Sequence, residues 1–182
     1  MKKQLVVLFP GIGYTNDKPL LYYSGKLAKQ LHYDTIALKY GHFPKNVKGN
    51  KDLMNQCFDL ALSQTKEQLA SVNWDDYDNI YFISKSIGTA TAVSYATSAH
   101  LHVKHVLMTP LAQTFYGIIE GIAFHGTADP WADTITIKEM CLSYGIPLTL
   151  IDDANHSLET GDVDKDISIL HDVINAIKDY IE

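Results

Sequence analysis

Short apolar runs alternate along the whole chain with longer stretches of helical periodicity, and that alternation constrains the fold more than any other feature. Leu5-Val6-Val7-Leu8-Phe9 is unbroken apolar sequence that stops at Pro10-Gly11, the pattern of a strand buried on both faces. Residues 18 to 31 place Leu20, Leu21, Leu27, Ala28 and Leu31 on one helical stripe. Asp17 is the expected N-cap there, and Pro19 falls in the first turn, where its missing N–H costs little. A second strand is expected at Tyr33 to Lys39, then a helix over residues 50 to 72 carrying Leu53, Cys57, Leu60, Ala61, Leu69 and Val72. Ile80 to Ile83 reads as the third strand, and the small residues of 88 to 99 suit a helix packed tightly on a sheet. Val103 to Met108 and Ile118 to Phe124 read as the fourth and fifth strands. A helix over Asp133 to Tyr144 is stopped by Gly145 and Pro147, and Pro147 to Ile151 is the sixth strand. Ile167, Leu170, Val173, Ile174, Ile177 and Ile181 form the apolar face of a closing helix. Six strands joined mostly by helices predict a three-layer α/β/α sandwich around a parallel, doubly wound sheet.

Composition narrows what such a fold can be for. A chain of 182 residues without repeats or a linker is expected to form one domain over 1–182. At that length folding buries roughly 70% of the surface, enough for a core without covalent staples. Fifteen basic side chains against 21 acidic ones leave a net charge of −6, so no basic excess exists to neutralise phosphates. Nucleic acid and anionic membrane surfaces are therefore not expected partners. Cys57 and Cys141 are far apart in amphipathic stretches and read as reduced core residues. Only five apolar residues follow Met1-Lys2-Lys3-Gln4, too few for a signal-peptide core, and no run is long enough to span a bilayer; a cytoplasmic protein is expected.

Neither a cofactor nor a metal is expected. Gly11-Ile12-Gly13 begins like a dinucleotide fingerprint but lacks its third glycine, and Lys39-Tyr40-Gly41 after the second strand offers no acid for a ribose. No phosphate-binding Gly-x-x-x-x-Gly-Lys-Ser/Thr run is present. His100, His102 and His105 fall at the start of a strand and are expected in a solvated turn. Asp162, Asp164 and Asp166 lack the glycine and closing Glu of a calcium loop and are expected to stabilise the N-terminus of the last helix.

Ligands of doubly wound sheets bind at the carboxyl ends of the strands. Three such ends here carry chemistry. Ser84-Lys85-Ser86-Ile87-Gly88 follows the third strand with small residues two before and two after Ser86, as a nucleophile elbow requires, although Ser84 stands where Gly is usual. A plain helix N-cap would also place a serine there. Asp129, in His125-Gly126-Thr127-Ala128-Asp129, follows the fifth strand and can orient a histidine or simply cap a helix. His156, in Asn155-His156-Ser157, follows the sixth. The chain order Ser, Asp, His, at separations of 43 and 27 residues, makes the conjunction far more specific than any single member.

On these segments the chain resembles the α/β-hydrolase superfamily, and in particular its small lidless bacterial serine hydrolases. The resemblance spans nearly the whole chain through Phe9 to Gly13, Ser84 to Gly88, His125 to Asp129 and Asn155 to Ser157. In the first segment Pro10 replaces a usual His. The resemblance implies a sheet order of 2-1-3-4-5-6, Ser86 as nucleophile, His156 as general base and Asp129 as its orienter. It also implies an oxyanion hole from the backbone N–H groups of Ile12 and Ile87. Asp152 and Asp153 are alternative acids, Lys85 is read as incidental to the elbow, and His125 is read as packing. Tyr14, Thr15 and His42 could line a pocket or simply pack.

Thr109 to Gly117 is only nine residues, too short for the lid that larger relatives insert there, so the site is expected to be open. Leu111, Phe115 and Tyr116 are candidate walls. The implied activity is hydrolysis of an ester, thioester or amide of a small molecule or peptide, most simply as a carboxylesterase. An acyltransferase and a catalytically silent binding module on the same fold are the alternatives.

Overall fold

The structure, a computed structural model, describes residues 3–182. Met1 and Lys2, part of the segment weighed above as a leader, lie outside the described residues. Six strands among the described residues, β1 (Gln4–Phe9), β2 (Asp34–Ala37), β3 (Asn79–Lys85), β4 (Lys104–Met108), β5 (Gly121–Gly126) and β6 (Leu148–Ile151), form one sheet. Its order is β2-β1-β3-β4-β5-β6 and every pairing is parallel. Among the described residues five helices connect or close it: α1 (Pro19–Gln30), α2 (Lys51–Gln68), α3 (Ile87–Ser98), α4 (Thr134–Ser143) and α5 (Val163–Ile181).

The pleat divides the core. Val6 and Leu8 of β1, Tyr81 and Ile83 of β3, and Val106 and Met108 of β4 face α1 and α5. Leu5, Val7, Phe9, Ile80 and Phe82 point the other way, toward α3. Leu107 and Ala123 meet α4 on that second side through Ile137 and Cys141. Alternate side chains of one strand thus enter opposite layers, which is why these strands read as continuous apolar runs. Cys57 and Cys141 are free, buried thiols.

Several boundaries differ from expectation. Asp17 does not cap α1; Lys18 occupies the N-cap without a side-chain bond, and the Tyr14 hydroxyl accepts from Leu20 N at 3.2 Å instead. The fifth strand begins at Gly121 rather than Ile118. Ile118 turns into the α3/α4 core, Ile119 is exposed, and Gly121 opens the ladder because a Cβ there would lie 2.8 Å from His105 O. His105 is not in a solvated turn. It is buried in β4, where burial pushes its imidazole down to about 3, while His100 and His102 are exposed. Among the described residues no group of His, Cys, Asp or Glu could hold a metal, and no helix is long and apolar enough to cross a membrane. Asp162 does cap α5, accepting from Asp164 N and Lys165 N.

Candidate active site

The carboxyl end of the sheet carries the site. Ser86 sits between β3 and α3 at φ 57 and ψ −127, a conformation that an L-residue adopts only when its surroundings enforce it. Those surroundings are short contacts. Ser86 N donates to Met108 O at 3.0 Å, and the Thr89 hydroxyl donates to Ser86 O at 2.6 Å. A Cβ on Gly88 would stand 2.5 Å from both Phe9 O and Pro10 O, so only glycine lets α3 start against the end of β1. The Ser84 that replaces the usual glycine is accommodated because its hydroxyl donates to Val106 O at 3.0 Å inside the sheet.

Three loops meet at Ser86. His156 Nε2 lies 2.7 Å from Ser86 Oγ, and His156 Nδ1 lies 2.7 Å from Asp129 Oδ2. Asp129 Oδ1 accepts from Trp131 N at 2.8 Å, and its carboxylate is wholly shielded from solvent. With Nδ1 donating to the carboxylate, Nε2 is left as an acceptor for the serine proton, the tautomer that serine activation requires. Burial opposes the Asp129 charge, but the bonds from His156 and Trp131 N outweigh it and hold the acid below the usual carboxylate range. For His156 burial is the largest influence and lowers its pKa. The Asp129 bond pulls it up, the nearby Lys85 charge pushes it down, and the net shift is downward.

The loops that carry Asp129 and His156 are locked together. Ala128 N donates to Ala154 O at 3.0 Å, Thr127 N to Ile151 O at 2.9 Å, and Asp153 N to Thr127 Oγ1 at 2.9 Å. Asp152 and Asp153 are exposed on the outside of this junction, and Asp129 is the acid bonded to His156. His125 belongs to β5 rather than to the loop; it is buried, with Nε2 3.1 Å from Thr134 Oγ1.

Opposite them, the loop after β1 abuts the elbow. A Cβ on Gly11 would be 3.0 Å from Ser86 Cβ, and Gly11 N is taken by Tyr14 O at 3.0 Å. The next N–H, that of Ile12, has no hydrogen-bond partner among the described residues. Ile87 is the first residue of α3, so its N–H has no acceptor within the helix.

Beside Ile87, the residue after Ser86, runs a groove of about 600 Å³. Its apolar lining comes from Val47, Met54, Phe58, Ile87, Ala90 and Leu111. Tyr116 and Trp131 stand at its sides, with the Trp131 ring 5.7 Å from that of His156. Of the three candidate walls, Leu111 and Tyr116 face the groove, whereas Phe115 is buried among α3 and α4. Tyr14, Thr15 and His42 do not line it; Tyr14 packs inward and the other two are exposed. The loop after β2 and the start of α2 supply a wall that periodicity did not reveal.

Lys85, read from the sequence as incidental to the elbow, makes contacts that local pattern did not show. It is fully buried, and its Nζ donates to Thr109 Oγ1 at 2.5 Å and to the carbonyl oxygen of His156 at 2.6 Å. A lysine closing the otherwise apolar run Ile80 to Ile83 was the available signal.

No protein-family model and no curated protein sequence matches the chain. Solved structures do. The ydeN gene product of B. subtilis is similar over 98% of its length and 99% of this chain, with 12% identity and a TM-score of 0.66. Esterase PE8 is similar over 93% of its chain and 94% of this one, at 17% identity and a TM-score of 0.65. An α/β serine hydrolase without a lid from Xanthomonas campestris is similar over 83% of its chain and 96% of this one, at 10% identity and a TM-score of 0.57. The fold is therefore that of the α/β-hydrolases. It takes the lidless form, since the connection from Met108 of β4 to Gly121 of β5 carries no element beyond a short 3-10 turn at Ala112–Phe115.

Proposed function

We propose that this chain is a serine hydrolase acting on carboxylic esters of small molecules through an acyl-enzyme on Ser86. The observation that carries the reading is the continuous hydrogen-bonded chain from Asp129 through His156 to Ser86, both links at 2.7 Å, on a strained elbow. His156 Nε2 takes the hydroxyl proton as Ser86 Oγ attacks the acyl carbonyl, and Asp129 stabilises the imidazolium formed. The Ile12 and Ile87 N–H groups hold the oxyanion, each worth about 3 kcal/mol when aligned. Collapse of the tetrahedral intermediate expels the alcohol, which receives the proton from His156. Water, deprotonated by the same imidazole, then attacks the acyl-enzyme and releases the acid, regenerating Ser86.

The groove beside Ile87 supports an apolar acyl group, and its lack of a lid favours small or exposed esters over long lipid chains. Esterase PE8, similar in fold, points the same way. Intact mass after treatment with a fluorophosphonate tests the reading. One adduct is expected on the wild type and none on Ser86→Ala, with p-nitrophenyl butyrate turned over only by the former. A folded wild type that takes no adduct would overturn it and leave the fold as a binding module.

A further inference from the structure

Lysine is almost never fully buried unless it is paired with an opposite charge. Lys85 is fully buried at the end of β3, yet both acceptors bonded to its Nζ are neutral. One is Thr109 Oγ1, on a residue held at φ 48, unusual for a β-branched side chain. The other is the backbone carbonyl of His156 itself. The face of the Tyr14 ring, 4.8 Å from Nζ, meets the remaining side of the ammonium. Loops following β1, β4 and β6 thus converge on one side chain that extends from β3. An apolar side chain would fill this space without the cost of stripping water from a cation. What an apolar side chain cannot do is hold the carbonyl of the residue whose ring bridges Asp129 and Ser86.

We propose that Lys85 is a positioning residue for the chemistry at Ser86, tying the His156 backbone to β3 and Thr109 so that the imidazole stays in line between Asp129 and Ser86. The proposal rests on the serine-hydrolase reading above.

The charge has a second consequence. The carboxylates of Asp129 and Glu159, from the loops after β5 and β6, favour the Lys85 cation, but burial outweighs them and pushes Lys85 down to about 7. Tyr14 is held neutral, its phenol raised to about 12 chiefly by burial. The remaining titratable neighbour is His156, whose imidazolium is disfavoured first by burial and then by the Lys85 charge, against the pull of Asp129. Below about pH 7 the Lys85 cation therefore helps keep His156 unprotonated and able to accept the Ser86 proton.

The test compares wild type with Lys85→Met and Thr109→Ala, each checked for folding by circular dichroism. The readouts are second-order fluorophosphonate labelling from pH 4.5 to 9, and NMR titration of the His156 ring. For Lys85→Met a loss of labelling rate of about tenfold or more is expected, because misplacing a reacting group by a fraction of an ångström has that scale of effect. Its acid limb moves to higher pH, and the His156 ring titrates higher than in wild type. Thr109→Ala keeps the charge and removes one anchor, so the rate falls with the acid limb in place; it carries the test if Lys85→Met fails to fold. Unchanged rates in the folded variants, or a His156 titration that ignores Lys85→Met, would overturn the proposal. A wild type that takes no label would instead overturn the hydrolase reading, and the NMR titration would still report on Lys85.

Discussion

Gly126→Ala puts the geometry of the site under the most direct strain. A Cβ at residue 126 would lie 2.2 Å from Ala154 O, 2.7 Å from Ala154 C and 2.8 Å from Asn155 O, all backbone atoms that no rotamer change can move. Restoring the 3.4 Å of ordinary contact requires the loops bearing Asp129 and His156 to separate by about 1 Å. The bonds from Thr127 N to Ile151 O and from Ala128 N to Ala154 O resist that separation, and overpacking of this kind costs about 1–3 kcal/mol. The 2.7 Å link between His156 and Asp129 spans the same seam. A displacement of about 1 Å at a catalytic contact lowers a rate by about 100-fold. Turnover of p-nitrophenyl butyrate should fall by that order, and the thermal midpoint should drop by about 2–4 °C for each kcal/mol lost. Gly41→Ala is the control, because nothing lies within 4 Å of a Cβ there. A folded Gly126→Ala with activity within twofold of Gly41→Ala would refute the argument that the close approach at Gly126 sets the catalytic geometry.

Asp129→Asn preserves shape while removing the anionic acceptor for His156 Nδ1, so kcat should fall by about 10³- to 10⁴-fold with little change in folding. A loss under tenfold in ester turnover would count against the role of Asp129. The apolar groove should make longer acyl chains better substrates up to its capacity, since each buried methylene is worth about 0.8 kcal/mol, or about fourfold in kcat/KM. Met54→Trp should flatten that rise between p-nitrophenyl acetate and hexanoate, and an unchanged chain-length profile would place the acyl group elsewhere. Stability should rise with pH above about 7, where folded Lys85 has released a proton that the unfolded chain keeps until about 10.5. Below pH 7 both states carry that proton and the contribution is flat. Urea unfolding of wild type and Lys85→Met at pH 7 and pH 9.5 checks the sign, and parallel behaviour of the two would contradict it.

The sheet was legible in the sequence because each of its layers leaves its own pattern. Leu5 to Phe9 and Ile80 to Ile83 feed both helical layers, which demands uninterrupted apolar residues, and the sheet order implied by the family resemblance is the one observed. Boundaries were harder where a neighbour rather than the local pattern decides. Ile118 and Ile119 look like strand, yet the ladder waits for Gly121 because only there can β5 approach His105 closely enough. Asp17 is a good cap by residue type, but Tyr14 already supplies the hydroxyl that Leu20 N needs. Local propensity had no access to either contact.

The candidate site divides along the same line. Ser86, Asp129 and His156 each follow a strand, so topology alone delivers them to one edge, and residue type with chain order made them the candidates that the structure brings into contact. Lys85 could not be judged that way. Its side chain and that of Ser86 leave adjacent residues in different directions, and from the elbow alone the lysine looked irrelevant to the serine. It reaches the same chemistry by a longer route, beneath the elbow to the backbone of His156, 71 residues further along. The groove was hidden for a related reason, since Met54 and Phe58 of α2 are only half-buried and line it, while Cys57 and Ala61 are fully buried. A helical stripe read for burial finds Cys57 and Ala61. Only the position of α2 against the start of α3 turns Met54 and Phe58 from incompletely buried hydrophobes into part of the groove's wall.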